Sequence, residues 1–185
     1  ARQGDISGAK TWLGQMQSAG IKPDEITFTS IISSCARGRD PEKAAWWLRE
    51  MCAAQVQPNS VSYTAVITGF SKQGNVGEVK KWLCEMQTES LSADEVTYSA
   101  LVDAHARNGD VDGARQAVAD MAAASLRPNV VTWTSLIAAC AAAKPKRQEE
   151  SERILRQMLR CSVSPNRMTL DSLAWAIGRS RSLEL

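Results

Sequence analysis

One short segment recurs along this chain at a nearly constant spacing. Its copies read ITFTSIISSCARG, VSYTAVITGFSKQG, VTYSALVDAHARNG and VVTWTSLIAACAAA, and they start at Ile26, Val61, Val96 and Val130. The first three starts are 35 residues apart, and the fourth copy joins the same frame when it is counted from Val131. Because a fixed period of this length is the signature of a repeat protein, the fold must be built from stacked copies of one supersecondary unit.

Methionines supply a second landmark in the same register. The members of this series are Met16, Met51, Met86, Met121 and, after a step of 37 rather than 35, Met158. If each unit begins just after its Pro-Asp or Pro-Asn pair, or the equivalent, the complete repeats are 25–59, 60–94, 95–129 and 130–166. Residues 1–24 and 167–185 are then parts of further repeats, and we expect the chain to be a fragment of a longer array.

Within a unit the apolar residues follow a helical period. In YTAVITGFSKQG, the residues Tyr63, Val66, Ile67 and Phe70 recur at steps of three and four, which places them on one face of a helix. Gly74 then ends that helix, and a second helix runs until the next proline, which cannot continue it. Two such antiparallel helices must stack on their neighbours to bury both faces, so the sequence predicts an all-α solenoid whose first helices line one surface.

Helix caps can be assigned from residue type. Aspartate and asparagine accept hydrogen bonds from the free amides of a first turn, and the predicted N-caps of the second helices are Asp5, Asp40, Asn75 and Asp110. Hydroxyl side chains just ahead of the first helices are the predicted caps there, namely Thr27, Ser62, Thr97 and Thr132. The extra two residues of the fourth repeat lie around KPKRQEES and predict a longer turn between its helices.

The composition excludes several classes of function. The net charge is only +2, so nucleic-acid binding would depend on where the charges lie rather than on their number. His105 is the only histidine, and the five cysteines form no CxxC pair, which disfavours metal sites and disulfide frameworks. We expect buried, reduced thiols, and no metal, cofactor or catalytic residue in this chain. No apolar run approaches the roughly 18 residues that a membrane span needs.

The unit VTYSALVDAHARNGDVDGARQAVADMAAASLRPN closely resembles the pentatricopeptide repeat, and the resemblance covers essentially the whole chain. The tetratricopeptide repeat is a poorer match, because its 34-residue WxxLGxxY pattern is missing. The resemblance implies a right-handed α-solenoid of 35-residue helix-turn-helix repeats. It also implies that each repeat binds one base of single-stranded RNA, in the processing, stability or translation of transcripts in a mitochondrion or chloroplast.

The resemblance also assigns residues to base recognition. The fifth and last residues of each repeat contact the base edge, which gives the reading pairs Thr29 with Asn59, Thr64 with Asp94, Ser99 with Asn129, and Thr134 with Asn166. The second residue of each repeat helps to sandwich the base, and these residues are Ile26, Val61, Val96, Val131 and, in the last partial repeat, Met168.

The chemistry of the reading pairs favours purines. Guanine presents two adjacent donors, which the Asp94 carboxylate can accept. Adenine presents a donor beside an acceptor, and both groups of an asparagine amide can match them at Asn59, Asn129 and Asn166. A small hydroxyl at the fifth position leaves room for a purine. The predicted RNA core is therefore A-G-A-A, running 5′ to 3′ with the chain.

A periodic series of cations lies near the end of each first helix. Its members are Arg2, Arg37, Lys72 and Arg107, which are spaced by 35. One cation per repeat along the base-reading surface would suit a protein that follows a phosphate backbone. Ala142 interrupts the series in the fourth repeat, where Lys144, Lys146 or Arg147 could replace it.

Two other classes of function remain open. The array could be a scaffold that binds protein subunits of a large assembly, a use that helical solenoids also serve. In that case no salt-dependent RNA affinity is expected. Alternatively, the full protein could be an enzyme whose catalytic domain lies outside this segment. Nuclease and editing domains need metal ligands or clustered acidic residues, and this stretch lacks them.

Overall fold

Every regular element in the described part of the chain is an α-helix. The computed structural model describes residues 22–178, so predictions that involve Arg2, Asp5 or Met16 lie outside the described residues. The helices are α1 (Glu25–Arg37), α2 (Pro41–Ala53), α3 (Ser60–Lys72), α4 (Val76–Thr88), α5 (Glu95–Arg107), α6 (Val111–Ala123), α7 (Val130–Ala142), α8 (Gln148–Arg160) and α9 (Arg167–Ile177). The all-α helical-repeat fold is thereby confirmed, while its handedness remains a prediction.

The helices form pairs, and the pairs match the sequence period. The odd-numbered helices begin at the first residue of each predicted repeat, at positions 25, 60, 95, 130 and 167. In the first three complete repeats the two helices are separated by residues 38–40, 73–75 and 108–110, whereas in the fourth they are separated by residues 143–147. The predicted longer turn in the fourth repeat is therefore confirmed. No helix within residues 22–178 is long and apolar enough to cross a membrane.

The described residues divide into two compact units, residues 22–70 with 80–93 and residues 71–79 with 94–178. In the first unit α1 packs against α2, and Ile32, Leu48 and Met51 are fully buried. The aromatic rings of Phe28 and Trp47 lie 6.4 Å apart in this core. Apolar residues at helical spacing thus form the core, as their period predicts.

In the second unit alternate helices lie side by side. Helix α7 packs against both α5 and α9, while α6 packs on α5 and α8 packs on α7. Met121, Ile137, Met158 and Leu173 are almost completely buried among these helices. This is the stacking that a helical pair needs in order to bury both of its apolar faces.

The periodic methionines also organise the ends of the second helices. A residue with left-handed φ lies two residues beyond the end of each second helix, and these residues are Gln55, Ser90, Ser125 and Ser162. The backbone N–H of the next residue then donates to the carbonyl of the buried methionine, as Leu126 does to Met121 at 3.1 Å. This is the six-to-one bond of a Schellman turn, and it directs the chain back toward the next first helix.

The caps of the second helices are confirmed. Asp40 accepts from the Lys43 N–H and Asp110 accepts from the Gly113 N–H, at 3.2 and 2.9 Å. Asn75 likewise accepts from the N–H three residues along, at 3.2 Å. Pro41 occupies the first turn of α2, where its missing N–H costs nothing.

The predicted caps of the first helices were wrong by one turn. The N-caps are the residues that end the preceding repeat, Asp24, Asp94, Asn129 and Asn166, and Asn59 makes the same bond. The hydroxyl residues Thr27, Ser62, Thr97 and Thr132 lie inside the first turn instead. The side-chain oxygen of an aspartate or asparagine reaches the amide three residues along, so the helix starts as soon as that residue ends the turn.

The expectation of buried thiols was wrong for three of the five cysteines. All five are free, but only Cys35 and Cys140 are buried, whereas Cys52, Cys84 and Cys161 are exposed. Burial raises the pKa of the Cys140 thiol to about 11. The three exposed thiols lie in or just beyond second helices, at positions that face away from the stacking core.

Gly109→Ala is expected to lower the free energy of unfolding more than Gly74→Ala. Both glycines have left-handed φ, +65° and +70°, where an L side chain costs about 1–2 kcal/mol. A Cβ at Gly109 would also lie 2.8 Å from the Ala142 carbonyl oxygen, whereas at Gly74 the nearest atom belongs to the Asn108 side chain, at 3.2 Å. Urea unfolding of the two variants measures the difference, and equal losses would contradict a close backbone contact at Gly109.

Asn129→Asp is expected to keep the free energy of unfolding within about 0.5 kcal/mol of the parent, whereas Asn129→Ala should lower it by about 1 kcal/mol. The aspartate retains the oxygen that accepts from the first turn of α7, and its charge suits the helix N-terminus. Urea unfolding followed by circular dichroism compares the two variants. An alanine variant as stable as the parent would show that this cap contributes nothing.

Candidate nucleic-acid interface

The last residue of each repeat has two structural roles. It ends its own repeat, and it caps the first helix of the repeat that follows. The caps have nearly the same backbone conformation, with φ between −96° and −102° and ψ within a few degrees of 180°, at Asp24, Asp94, Asn129 and Asn166. Their side chains therefore leave the backbone in the same direction relative to the helix that follows. The fold presents this position uniformly without the aid of a bound ligand.

Capping decides which side-chain atoms remain for a ligand. Asp94 Oδ1 accepts from both the N–H and the hydroxyl of Thr97, at 2.8 and 2.7 Å. At Asn166 the oxygen accepts from the N–H and the hydroxyl of Thr169, both at 2.9 Å. The exposed carboxylate at position 94 thus keeps Oδ2 as an acceptor, and the amide at position 166 keeps Nδ2 as a donor.

This geometry changes the expectation for the asparagines. The sequence suggests that both amide groups meet the base, but the oxygen of Asn59, Asn129 and Asn166 is committed to the helix. Only the amide nitrogen is left, and in the first repeat Asn59 Nδ2 donates to Glu25 Oε1. Any acceptor that such a pocket offers to a base must come from the fifth-position hydroxyl.

The fifth-position residues are half-buried or buried, and two of their hydroxyls contact the next repeat. Ser99 is only 5% exposed, and its Oγ lies 2.7 Å from Thr132 Oγ1. Thr134 Oγ1 lies 2.7 Å from Thr169 Oγ1. Thr29 and Thr64 are half-buried, and Thr29 Oγ1 is a buried atom without a hydrogen-bond partner in the described chain.

The second-position residues form the most exposed apolar series in the described chain. Their exposed fractions lie between 54% and 75%, although they are aliphatic residues at the start of helices, and the series is Ile26, Val61, Val96, Val131 and Met168. Each lies two residues after a cap. These aliphatic side chains therefore do not belong to the core, although they recur at one position of every repeat.

The predicted phosphate-facing cations are all exposed where they are described. Arg37, Lys72 and Arg107 each lie at the C-terminal end of a first helix, and Arg2 lies outside the described residues. Arg107 Nε donates to Asp103 Oδ2 at 2.9 Å, and the same carboxylate oxygen accepts from Ser71 at 3.0 Å. Arg107 is therefore partly neutralised, whereas the one hydrogen bond of the Arg37 side chain within residues 22–178 is a long 3.5 Å bond to the Ser34 hydroxyl.

Two of the proposed substitutes in the fourth repeat are already engaged. Arg147 makes a bidentate pair with Asp112, with both distances 2.8 Å, and also bonds Glu150. Its pKa is raised chiefly by the bond to Asp112, whose own pKa is lowered by Arg147. Lys146 Nζ donates to the Trp175 carbonyl at 2.7 Å and lies over the Trp175 ring.

Sequence reasoning missed this ion-pair network, which links the third and fourth repeats. Asp112 and Arg147 are 35 residues apart, as are Arg115 and Glu150, whose side chains are also bonded. Opposite charges at equivalent positions of successive repeats would have indicated both pairs. The network is a contact between repeats, so these charges are unsuitable as free phosphate ligands.

The described residues offer no sign of a metal site. No group of three or more His, Cys, Asp or Glu side chains within residues 22–178 could hold a metal ion. His105 is buried, and its Nδ1 lies 2.7 Å from Asp110 Oδ2. Hydrogen bonds from the Gly113 N–H and then from His105 lower the pKa of that carboxyl, so the pair supports the cap of α6.

Known proteins share both the sequence pattern and the fold. A family model described as "PPR repeat family" matches residues 58–107 and 93–142. A second model, described as "Pentatricopeptide repeat domain", matches residues 11–73. Among curated proteins, none matches the sequence significantly. The two family matches together extend over residues 11–142 of the 185.

Solved structures of low sequence identity superpose well on the chain. The pentatricopeptide repeat protein PPR10 from maize has a TM-score of 0.78 at 19% identity, over 97% of this chain and 25% of that one. PPR10 in complex with an 18-nt psaJ RNA element has a TM-score of 0.80 at 19% identity, over 97% and 26% of the two chains. The PPR domain of Arabidopsis thaliana protein-only RNase P 1, in complex with tRNA, has a TM-score of 0.73 at 14% identity, over 92% and 90%.

This chain spans about a quarter of the length of the PPR10 chains that it matches. The family matches cover more than half of its residues, and the described helices pair at the matching period. The chain therefore belongs to the pentatricopeptide repeat family.

Proposed function

We propose that this chain binds single-stranded RNA, with one base held by each repeat. The observation that carries the proposal is the series of exposed aliphatic side chains. Each lies two residues after an asparagine or aspartate that caps a helix. An exposed apolar side chain can pack against the face of a base, while the polar side chain of the helix cap contacts the edge of that base. PPR10 bound to an 18-nt RNA and the Arabidopsis domain bound to tRNA support this assignment.

The proposed base preferences follow from the atoms that capping leaves free. Asp94 Oδ2 is an acceptor and suits the adjacent donors of guanine. The amide nitrogens of Asn129 and Asn166 are donors and suit an acceptor such as adenine N1. Together with the fifth-position hydroxyls of the same repeats, the reading pairs give the proposed core A-G-A-A, 5′ to 3′ along the chain.

The proposed mechanism is binding without catalysis. An RNA held along the repeats would be protected from exonucleases or kept single-stranded, which needs no reacting group. We propose transcripts of a mitochondrion or chloroplast as the targets, as the family resemblance suggests. Four bases recur too often to define one transcript, so further repeats or a protein partner would complete the specificity.

The parent chain is expected to bind an RNA containing AGAA more tightly than one containing AAAA, and Asp94→Asn should reverse this order. The substitution replaces a free acceptor with a donor while the cap oxygen is retained. Each matched base edge contributes about 1–3 kcal/mol of discrimination, which corresponds to a ratio of about 5 to 150. Fluorescence anisotropy with the two cores in the same pyrimidine context measures both affinities at two salt concentrations.

Two results would contradict the proposal in different ways. An unchanged preference in Asp94→Asn would remove that residue from base recognition. If the folded parent bound neither RNA, the chain would instead be assigned to the scaffold class, in which the helical array holds protein subunits.

A triple variant with alanine at positions 37, 72 and 107, in place of Arg37, Lys72 and Arg107, should bind all single-stranded RNAs more weakly and to the same degree. Each lost phosphate contact reduces the slope of log K against log salt by about 0.7, so the slope should fall by about 2. Arg147→Ala is the control, because its guanidinium is already paired with Asp112 and Glu150. The salt slopes of the variants and the parent are compared on one RNA, and an equal slope in the triple variant would show that the series does not contact phosphates.

A further inference from the structure

We infer that Thr132 and Thr169 are positioning residues for base recognition, each acting on the repeat that precedes its own. The inference rests on the proposed function, because it concerns the same reading pairs. Each threonine lies third in its repeat and is completely buried, so it does not touch a base itself. Its hydroxyl instead contacts both reading residues of the preceding repeat.

The contacts of Thr132 connect Ser99 with Asn129. Its Oγ1 lies 2.7 Å from Ser99 Oγ and 3.2 Å from Asn129 Oδ1, and it accepts from the Asn129 N–H at 3.3 Å. The two residues of this reading pair are 30 positions apart in sequence and belong to opposite ends of one repeat. The Thr132 hydroxyl, which belongs to the next repeat, connects these two residues.

Thr169 makes the same set of contacts in the fourth pocket. Its Oγ1 lies 2.7 Å from Thr134 Oγ1 and 2.9 Å from Asn166 Oδ1, and it accepts from the Asn166 N–H at 3.2 Å. Both asparagines are thus in capping boxes in which the third residue bonds back to the cap. Two pockets of identical connectivity show that this is a repeated arrangement.

Hydrogen positions follow from the chemistry of these groups. Thr169 donates its one hydroxyl hydrogen to Asn166 Oδ1, so it cannot also donate to Thr134. The one hydroxyl hydrogen of Thr134 is then directed within the protein, to the Val130 carbonyl oxygen or to Thr169 Oγ1, both 2.7 Å away. Thr134 therefore presents an acceptor to the base, and Asn166 presents its Nδ2 donor. An acceptor beside a donor complements N6–H and N1 of adenine.

The first repeat lacks this link. Ser62 occupies the third position of the repeat that follows it, and the Ser62 Oγ donates to the Asn59 carbonyl and accepts from the Asn59 N–H, at 2.8 and 3.1 Å. It has no bond to Thr29, whose Oγ1 is left without a partner in the described chain. The bridging hydroxyl is therefore not an automatic result of the helical repeat, and a pocket can exist without it.

The test uses Thr132→Val and Thr169→Val in the 185-residue chain. Valine keeps the shape of the buried side chain and the backbone N–H that reaches the cap, but it removes the hydroxyl. Each variant is titrated with RNAs that contain AGAA, AGGA or AGAG in one pyrimidine context. Thr132→Val should lose about threefold to tenfold of the A-over-G preference at the third base only, and Thr169→Val should lose it at the fourth base only.

Thr27→Val is the matched control, because its hydroxyl bonds a cap at the same position of α1, away from the third and fourth pockets. It should leave both preferences unchanged. A partly unfolded variant lowers the active concentration equally for all RNAs, so the ratio of affinities still reports on the pocket.

The outcomes separate this inference from the proposed function. If the parent discriminates and the valine variants discriminate equally well, the positioning role is wrong while RNA recognition stands. Loss of preference at both bases in either variant would also overturn it, because that would indicate a general effect on the fold. A parent with no preference among the three RNAs would overturn the proposed function and this inference with it.

Discussion

The hydrogen bond between the last residue of one repeat and the first turn of the next helix is the interaction on which the other features depend. It satisfies free amides at a helix N-terminus, which would otherwise be left without partners as the helices stack. It also fixes the side chain of Asp94, Asn129 or Asn166 in one orientation. In the proposed function, helix initiation and ligand presentation are therefore the same contact, repeated with the period of the chain.

If the proposed base recognition holds, this arrangement reduces the entropic cost of binding. A free asparagine or aspartate on a surface would lose its rotamer freedom when it met a base, and that loss would weaken the affinity. Here the cap has already restricted the side chain, and the fifth-position hydroxyls of Ser99 and Thr134 are held by the following repeat. Several such preorganised pockets in series can form a binding surface even though the net charge of the chain is only +2.

Local patterns predicted the elements well, and contacts between repeats were harder to foresee. The helical period, the end of a first helix at Gly74 and the second-helix caps depend on residues close in sequence, and all are found as expected. The first-helix caps were placed too late because a hydroxyl and a preceding Asp or Asn both satisfy the cap preference, and only geometry chooses between them. Arg147 looked like a free cation because its partner Asp112 is 35 residues away.

Under the proposed base recognition, the same cap allows base preference and stability to vary independently. Aspartate and asparagine both provide the capping oxygen, and they differ only in the second atom, which is an acceptor in one and a donor in the other. A change between them alters the group that meets a base while the helix keeps its first-turn bond. Substitution by a residue without that oxygen changes both properties at once. A recognition surface built on helix caps can therefore acquire new preferences at little cost to the fold, provided that the change stays within these two residue types.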